Sequence, residues 1–214
     1  MLRTSAPLIG ALAVKIEEAD TLSAHIQEEM YTHEHLWRSS TVLYEAALNR
    51  PDDSYHLLLP TLLTAYLAYE AFVNFVGYVL LPEIWEDERN NFKGKGLEGK
   101  LERILSEMPE FEWRKGARPY QTIRRLEEFR NRVSHGKVQA SEYLAPNRND
   151  GLHFRFRHVW DEFMTRNAVE RARFDIKEFC QCVVEDCRKH CEHPHLNHDA
   201  FEGSLASGSS SFAG

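Results

Sequence analysis

The chain has little cysteine, and what it has is badly placed for a disulfide framework: all four cysteines fall between residues 180 and 191 of 214. Bridges within so short a stretch cannot staple distant parts of a fold, which excludes the disulfide scaffolds of small secreted domains and points to a reducing, cytoplasmic setting. Glycine and proline are sparse, at 11 and 8 residues, too few for a collagen-like or linker-like chain. Positive charge is short overall: 26 Lys and Arg stand against 33 Asp and Glu, a formal net charge of −7. A nucleic-acid coat spread over the whole surface is thereby excluded, though a local basic face is not. Gly94, Gly96 and Gly99 lack both a preceding strand pattern and a Gly-Lys-Ser/Thr ending, so they form no phosphate loop. What is present, 43% hydrophobic and 28% charged residues, suits a soluble globular domain large enough to bury a core without a metal.

Helical periodicity dominates the chain. Ile9, Leu12, Ile16, Ala19, Ile26 and Met30 are spaced mostly by three and four and predict a long amphipathic helix. It continues through Leu36, Val42, Leu43 and Ala47 until Asn49-Arg50-Pro51-Asp52-Asp53 breaks it. The apolar patch over residues 6–14 reads as the first turns of that helix rather than a leader, because its pattern runs on through charged residues. Residues 57–81 are almost continuously apolar, with Glu70 their only charge. Such a run is long enough for a bilayer. With Glu70 and Asn74 at its middle and a polar remainder, it reads instead as the buried central helix of a bundle, and no membrane association is expected.

Pro82 ends that helix, residues 86–96 read as a loop, and Leu97, Leu101, Ile104 and Leu105 mark a short helix before Pro109. A fourth helix follows Pro119, with Ile123, Leu126, Phe129 and Val133 on its apolar face and Gly136 after its cationic last turn. Residues 140–150 read as a loop and 152–159 as irregular or one short strand. A last helix runs from about Ala168, with Val169, Ala172, Ile176, Phe179, Val183 and Cys187 in register. The serine- and glycine-rich end reads as disordered. The expected architecture is an all-α bundle of about five helices over residues 1–192, followed by a flexible tail over 193–214.

Residues 111–137 carry eight Lys and Arg against three Glu, whereas residues 1–60 carry four cations against nine acids. An acidic chain has concentrated its positive charge, as a localised phosphate-binding face would require, since such attraction fades over about 8 Å at physiological salt. Inside this segment lies Arg130-Asn131-Arg132-Val133-Ser134-His135-Gly136. An Arg, a polar residue beside it and a His after four intervening positions, at the end of a helix in an all-α chain, resembles the R-x(4–6)-H signature of HEPN domains.

The resemblance implies a helical bundle with metal-independent endoribonuclease activity, commonly as a homodimer whose two motifs face one composite cleft. It places Arg130, Asn131 and His135 in the catalytic roles. An imidazole suits His135 to general acid/base work, Arg130 offers a planar fork of donors to a phosphate, and Asn131 orients the histidine or the substrate. Arg124, Arg132 and Lys137 are the candidate RNA contacts. A role in phage defence or as a toxin is implied by family analogy alone. Some HEPN toxins silenced by a paired nucleotidyltransferase carry a Tyr two positions beyond the His; Lys137 stands there, so any regulatory partner is of another kind. On an ideal helix Arg130 and His135 lie about 140° apart. A long reach by Arg130, an unwound last turn or a second protomer would have to bring them together.

Tyr66, Glu70, Asn74 and Tyr78 form a polar stripe at i, i+4 spacing on the apolar second helix. A buried carboxylate needs a partner, and the arginines of the fourth helix, Arg125 and Arg130, are the candidates, with Asn74 supporting. In the C-terminal stretch, Cys187 and Cys191 sit one turn apart, and His195 and His198 would complete a tetrahedral zinc set. Paired Cys-x-x-Cys knuckles are lacking, however, and Cys180, Val183 and Cys187 also fit a buried helical stripe. No cofactor is expected. Two other functions compete with the ribonuclease: a non-catalytic HEPN-like module that binds RNA or a nucleotide or acts as a scaffold, and a zinc-dependent interaction protein.

Overall fold

A computed structural model describes residues 24–50, 54–136, 161–203 and 206–212 of the chain. The expected stripe from Ile9 to Ala19, the 140–150 loop, the 152–159 segment and Lys137 lie outside the described residues. The described residues fall into two compact units: those within 30–207 form one, and 24–29 with 208–212 form the other.

In the second of these, the strand β1, Ala24–Met30, pairs with β2, Ala206–Phe212, in a two-stranded sheet. This corrects one expectation. Ile26 and Met30 are not on the first helix. Their spacing of four fits a helical stripe and equally the period of two of a strand. Residues 206–212 of the low-complexity end form β2 by backbone pairing with β1.

Among the described residues the helical unit contains seven α-helices, five of them long. Helix α1, Thr32–Asn49, packs along α2, Ser54–Leu80, and α2 also contacts α5, Gly96–Leu105, α6, Tyr120–Ser134, and α7, Arg166–Cys187. It is the axis of the bundle because its apolar residues run round most of its circumference. Leu58, Leu62, Ala65, Tyr66, Tyr69, Phe72, Val73 and Val76 are all buried. By length and composition alone α2 would suffice to cross a membrane, yet half of its most apolar window is buried inside the protein.

The outer helices each turn one stripe to this axis. Ile123, Leu126 and Phe129 do so from α6, and Val169, Ala172, Ile176, Phe179, Cys180 and Val183 from α7. The Thr165 side chain caps α7 by accepting the Ala168 N–H at 3.2 Å. Two short helices follow α2: α3, Pro82–Glu86, precedes the segment expected as a loop, and α4, Glu88–Asn91, lies within it. They form because Trp85 and Phe92 anchor that polar segment to the core.

The folded unit also extends beyond residue 192. Leu196, Ala200 and Phe201 are buried, Phe201 stacks on Trp37 at 4.4 Å, and the Gly203 N–H donates to Glu34 Oε1 at 3.0 Å. From α7, Gln181 accepts the Ala200 N–H at 2.8 Å, and Arg188 donates to the His198 carbonyl at 2.5 Å. Residues 194–203 are therefore a strap over the bundle rather than part of a flexible tail: three apolar side chains give them a reason to dock.

Candidate functional site

The site is built where the C-terminal half of α6 lies against the polar stripe of α2. Phe129 faces the core, which turns its neighbour Arg130 to the edge of the α2 interface. There the Arg130 Nη2 donates to Glu70 Oε1, and Nη1 donates to Asn131 Oδ1 at 2.8 Å. The guanidinium also lies 5.4 Å from the ring centroid of Tyr66, one helical turn before Glu70. The side chains of Arg130 and Glu70 are 29% and 21% exposed, so the ion pair is shielded from bulk water but open on one side. Burial pushes the Tyr66 phenol well above the usual tyrosine range and raises the Glu127 carboxyl as well. Tyr66 is the residue that sequence reasoning placed on the stripe without giving it a part; its i−4 relation to Glu70 was the available signal.

The other supporting residues lie elsewhere. Asn74 Oδ1 accepts from Lys100 Nζ on α5 at 2.8 Å, and the same ammonium pairs with Glu88. Arg125 is on the surface, paired with Glu162 at 2.8 Å and stacked on Phe163. Of the residues expected around Arg130, Glu70 is beside it, while Asn74 and Arg125 are not. The reason is geometric: Asn74 lies one turn further along α2, where α5 rather than α6 is the neighbour, and Arg125 is about 140° round α6 from Arg130.

Helix α6 stays regular to Ser134. His135 closes it with φ −84° and ψ −7°, its N–H bonded to the Asn131 carbonyl at 3.1 Å. Gly136 then takes φ +49°, the left-handed turn that ends helices and that glycine adopts most readily. The last turn is thus not unwound, and one helix presents its two motif residues differently: Arg130 is drawn inward to Glu70, whereas His135 is exposed.

Arg124 and Arg132 are exposed on the same helix, two turns apart, and have no ion pair among the described residues. Most of the cations that made this segment basic are otherwise engaged. Arg114 pairs with Glu112 at 2.6 Å, Lys115 with Glu98 and Glu102 at 3.0 and 2.6 Å, and Arg118 with the fully buried Asp175 at 2.6 Å.

The zinc candidates do not form a cluster. Cys187 is buried with its thiol 3.5 Å from Met108 Sδ, and burial pushes that thiol up to about 12. Cys191 is half-buried and His198 exposed, and the side chain of His195 lies outside the described residues. Among the described residues no group of three or more His, Cys, Asp or Glu is disposed to hold a metal ion. The stripe reading of Cys180 and Cys187 explains the pattern, since both are core side chains.

Compared with known proteins, the chain matches no family model, no curated protein and no solved structure.

Proposed function

We propose that the chain is a metal-independent endoribonuclease of HEPN type. The observation that carries this reading is the Arg130 guanidinium, oriented by Glu70 and Asn131 at the open edge of an ion pair, on the helix whose exposed terminal residue is His135. In the proposed reaction a ribose 2′-OH attacks the adjacent phosphorus and the 5′-oxygen departs, leaving a 2′,3′-cyclic phosphate. His135 moves the proton, and the donors of Arg130 not spent on Glu70 and Asn131 meet the charge that develops on the phosphate oxygens. Arg124, Arg132 and Lys137 hold the RNA backbone.

Because Arg130 and His135 turn away from each other on a regular helix, a homodimer supplies the geometry: one copy's histidine works with its partner's arginine. The setting is cytoplasmic, and a toxin or phage-defence role with an unidentified regulatory partner fits the activity.

Cleavage of structured RNA in excess chelator by wild type, His135→Ala and Arg130→Ala tests the reading, with thermal melting to verify folding. We expect His135→Ala to lose about 10²- to 10⁴-fold in rate, with cyclic phosphate ends on the wild-type products. Equal cleavage by wild type and His135→Ala would remove His135 from the chemistry. A second reading, a non-catalytic RNA- or nucleotide-binding module, is favoured by the commitment of Arg130 to Glu70, and RNA binding without cleavage would select it.

A further inference from the structure

Where the connection after α5 meets α7, the helical unit contains a cavity of about 350 Å³, within the usual range for small-molecule sites. Its apolar wall is a chain of rings. Trp113 meets Tyr120 edge-on at 4.9 Å between centroids, Tyr120 meets Phe179 at 5.5 Å, and Phe179 meets Phe111 at 6.1 Å.

The rest of the lining is charged, and unequally so. Glu110, Glu112, Glu185 and Asp186 share it with Arg114, Arg118 and Lys189. Each of the three cations already has a carboxylate: Arg114 has Glu112, Arg118 has Asp175 from outside the lining, and Lys189 has Oδ1 of Asp186. The surplus is negative and rests on Glu110 and Glu185, while Asp186 keeps one carboxylate oxygen that Lys189 does not reach. Glu185 accepts only the neutral Gln181 amide, at 2.9 Å. Asp186 is 5% exposed, and its Oδ2 has no hydrogen-bond donor among the described residues, with His190 Nε2 standing 3.9 Å away. A carboxylate oxygen withdrawn from water without a donor is a cost that a donor would relieve. The aromatic wall accepts positive charge as well: Lys115 Nζ lies 4.1 Å from the Trp113 ring centroid.

We propose that this cavity binds a small organic cation, an amine carrying a flat apolar body, with the body against Trp113, Tyr120 and Phe179 and the ammonium among Glu110, Glu185 and Asp186. The site lies at the Tyr120 end of α6, whereas His135 closes the other end, so the proposal stands apart from the ribonuclease reading.

Calorimetric titration of the whole chain with 2-phenylethylamine, 2-phenylethanol and phenylacetate presents one body with positive, no and negative charge. Saturable binding of the amine is expected, with the alcohol weaker by about tenfold or more and the acid undetectable. Trp113→Leu should abolish amine binding, and Asp186→Asn should weaken it about tenfold. Because Asp186 is buried and its variant could fail to fold, the pair Glu110→Gln/Glu185→Gln, both exposed, tests the charge independently and should also weaken the amine by about tenfold. Equal affinity for amine and alcohol, unchanged affinity in the Glu110→Gln/Glu185→Gln protein, survival of binding in Trp113→Leu, or no amine binding up to about 10 mM would each overturn the proposal.

Discussion

Arg130 has five N–H donors and uses them unevenly. One goes to Glu70 and one to Asn131, while Nε is buried without an acceptor among the described residues. A guanidinium so placed depends on its carboxylate, because losing Glu70 leaves a half-buried charge uncompensated. In a double-mutant cycle of Glu70→Ala and Arg130→Ala, urea unfolding should give a coupling of about 1–3 kcal/mol, with Glu70→Ala the costlier single change. A coupling near zero would mean that the pair is solvated and does not position the arginine. The sequence made part of this legible: a lone carboxylate on an apolar helix needs a cation, and the fourth helix was rich in them. It did not distinguish Arg130 from Arg125, because that choice depends on how α6 is rotated about its axis, which only packing decides.

At the scale of elements, α2 sets the terms on which its neighbours approach. Gly77 is there because α3 returns so closely that a Cβ at this position would lie 2.0 Å from the Trp85 ring. Gly77→Ala should therefore destabilise the protein by about 1–3 kcal/mol, although alanine is the better helix former; chemical denaturation reads the sign. The five long helices were legible because each repeats an apolar stripe over several turns. The short α3 and α4 were not, since four or five mostly polar residues carry no periodicity and owe their helix to two anchoring aromatics. Strand β1 was misread because a few apolar positions satisfy more than one period, and its partner lies some 180 residues further along the chain.

For the molecule as a whole, the strap ties the end of the helical unit to its beginning, and the tie includes a buried acid. Burial raises the Glu34 carboxyl above its ordinary 4.5, against the opposing pull of the Gly203 N–H and of His198 and His35, and Glu202 raises it further. The folded state thus holds this proton more tightly than the unfolded chain does. The resulting stability is fully present below pH 4.5 and is lost as pH rises through the higher folded-state value. Glu34→Gln keeps an acceptor for Gly203 but cannot ionise, so it should gain on wild type toward neutral pH by on the order of 1 kcal/mol. Urea midpoints of the two proteins at acidic and neutral pH measure the difference, and a constant offset would show that Glu34 titrates alike in both states. The strap itself was hidden from sequence reasoning because Leu196, Ala200 and Phe201 are three apolar residues among histidines and glycine, too few to announce a docking segment.

Of the eight Lys and Arg in residues 111–137, five are matched by carboxylates of the same chain. An arginine that already has its counter-charge has no bound counterion to exchange and displaces few salt ions from a polyanion. Among the described residues Arg124 and Arg132 are left to do so, and Lys137, outside them, is the third cation of the proposed RNA contact. If the chain binds single-stranded RNA as proposed, its affinity should fall with added salt with a logarithmic slope of about −2 rather than the −5 or steeper that all eight cations would give. A tenfold rise in salt should then weaken binding about 10²-fold rather than about 10⁵-fold; a slope of about −5 in a salt titration would mean that the internal pairs open when RNA arrives.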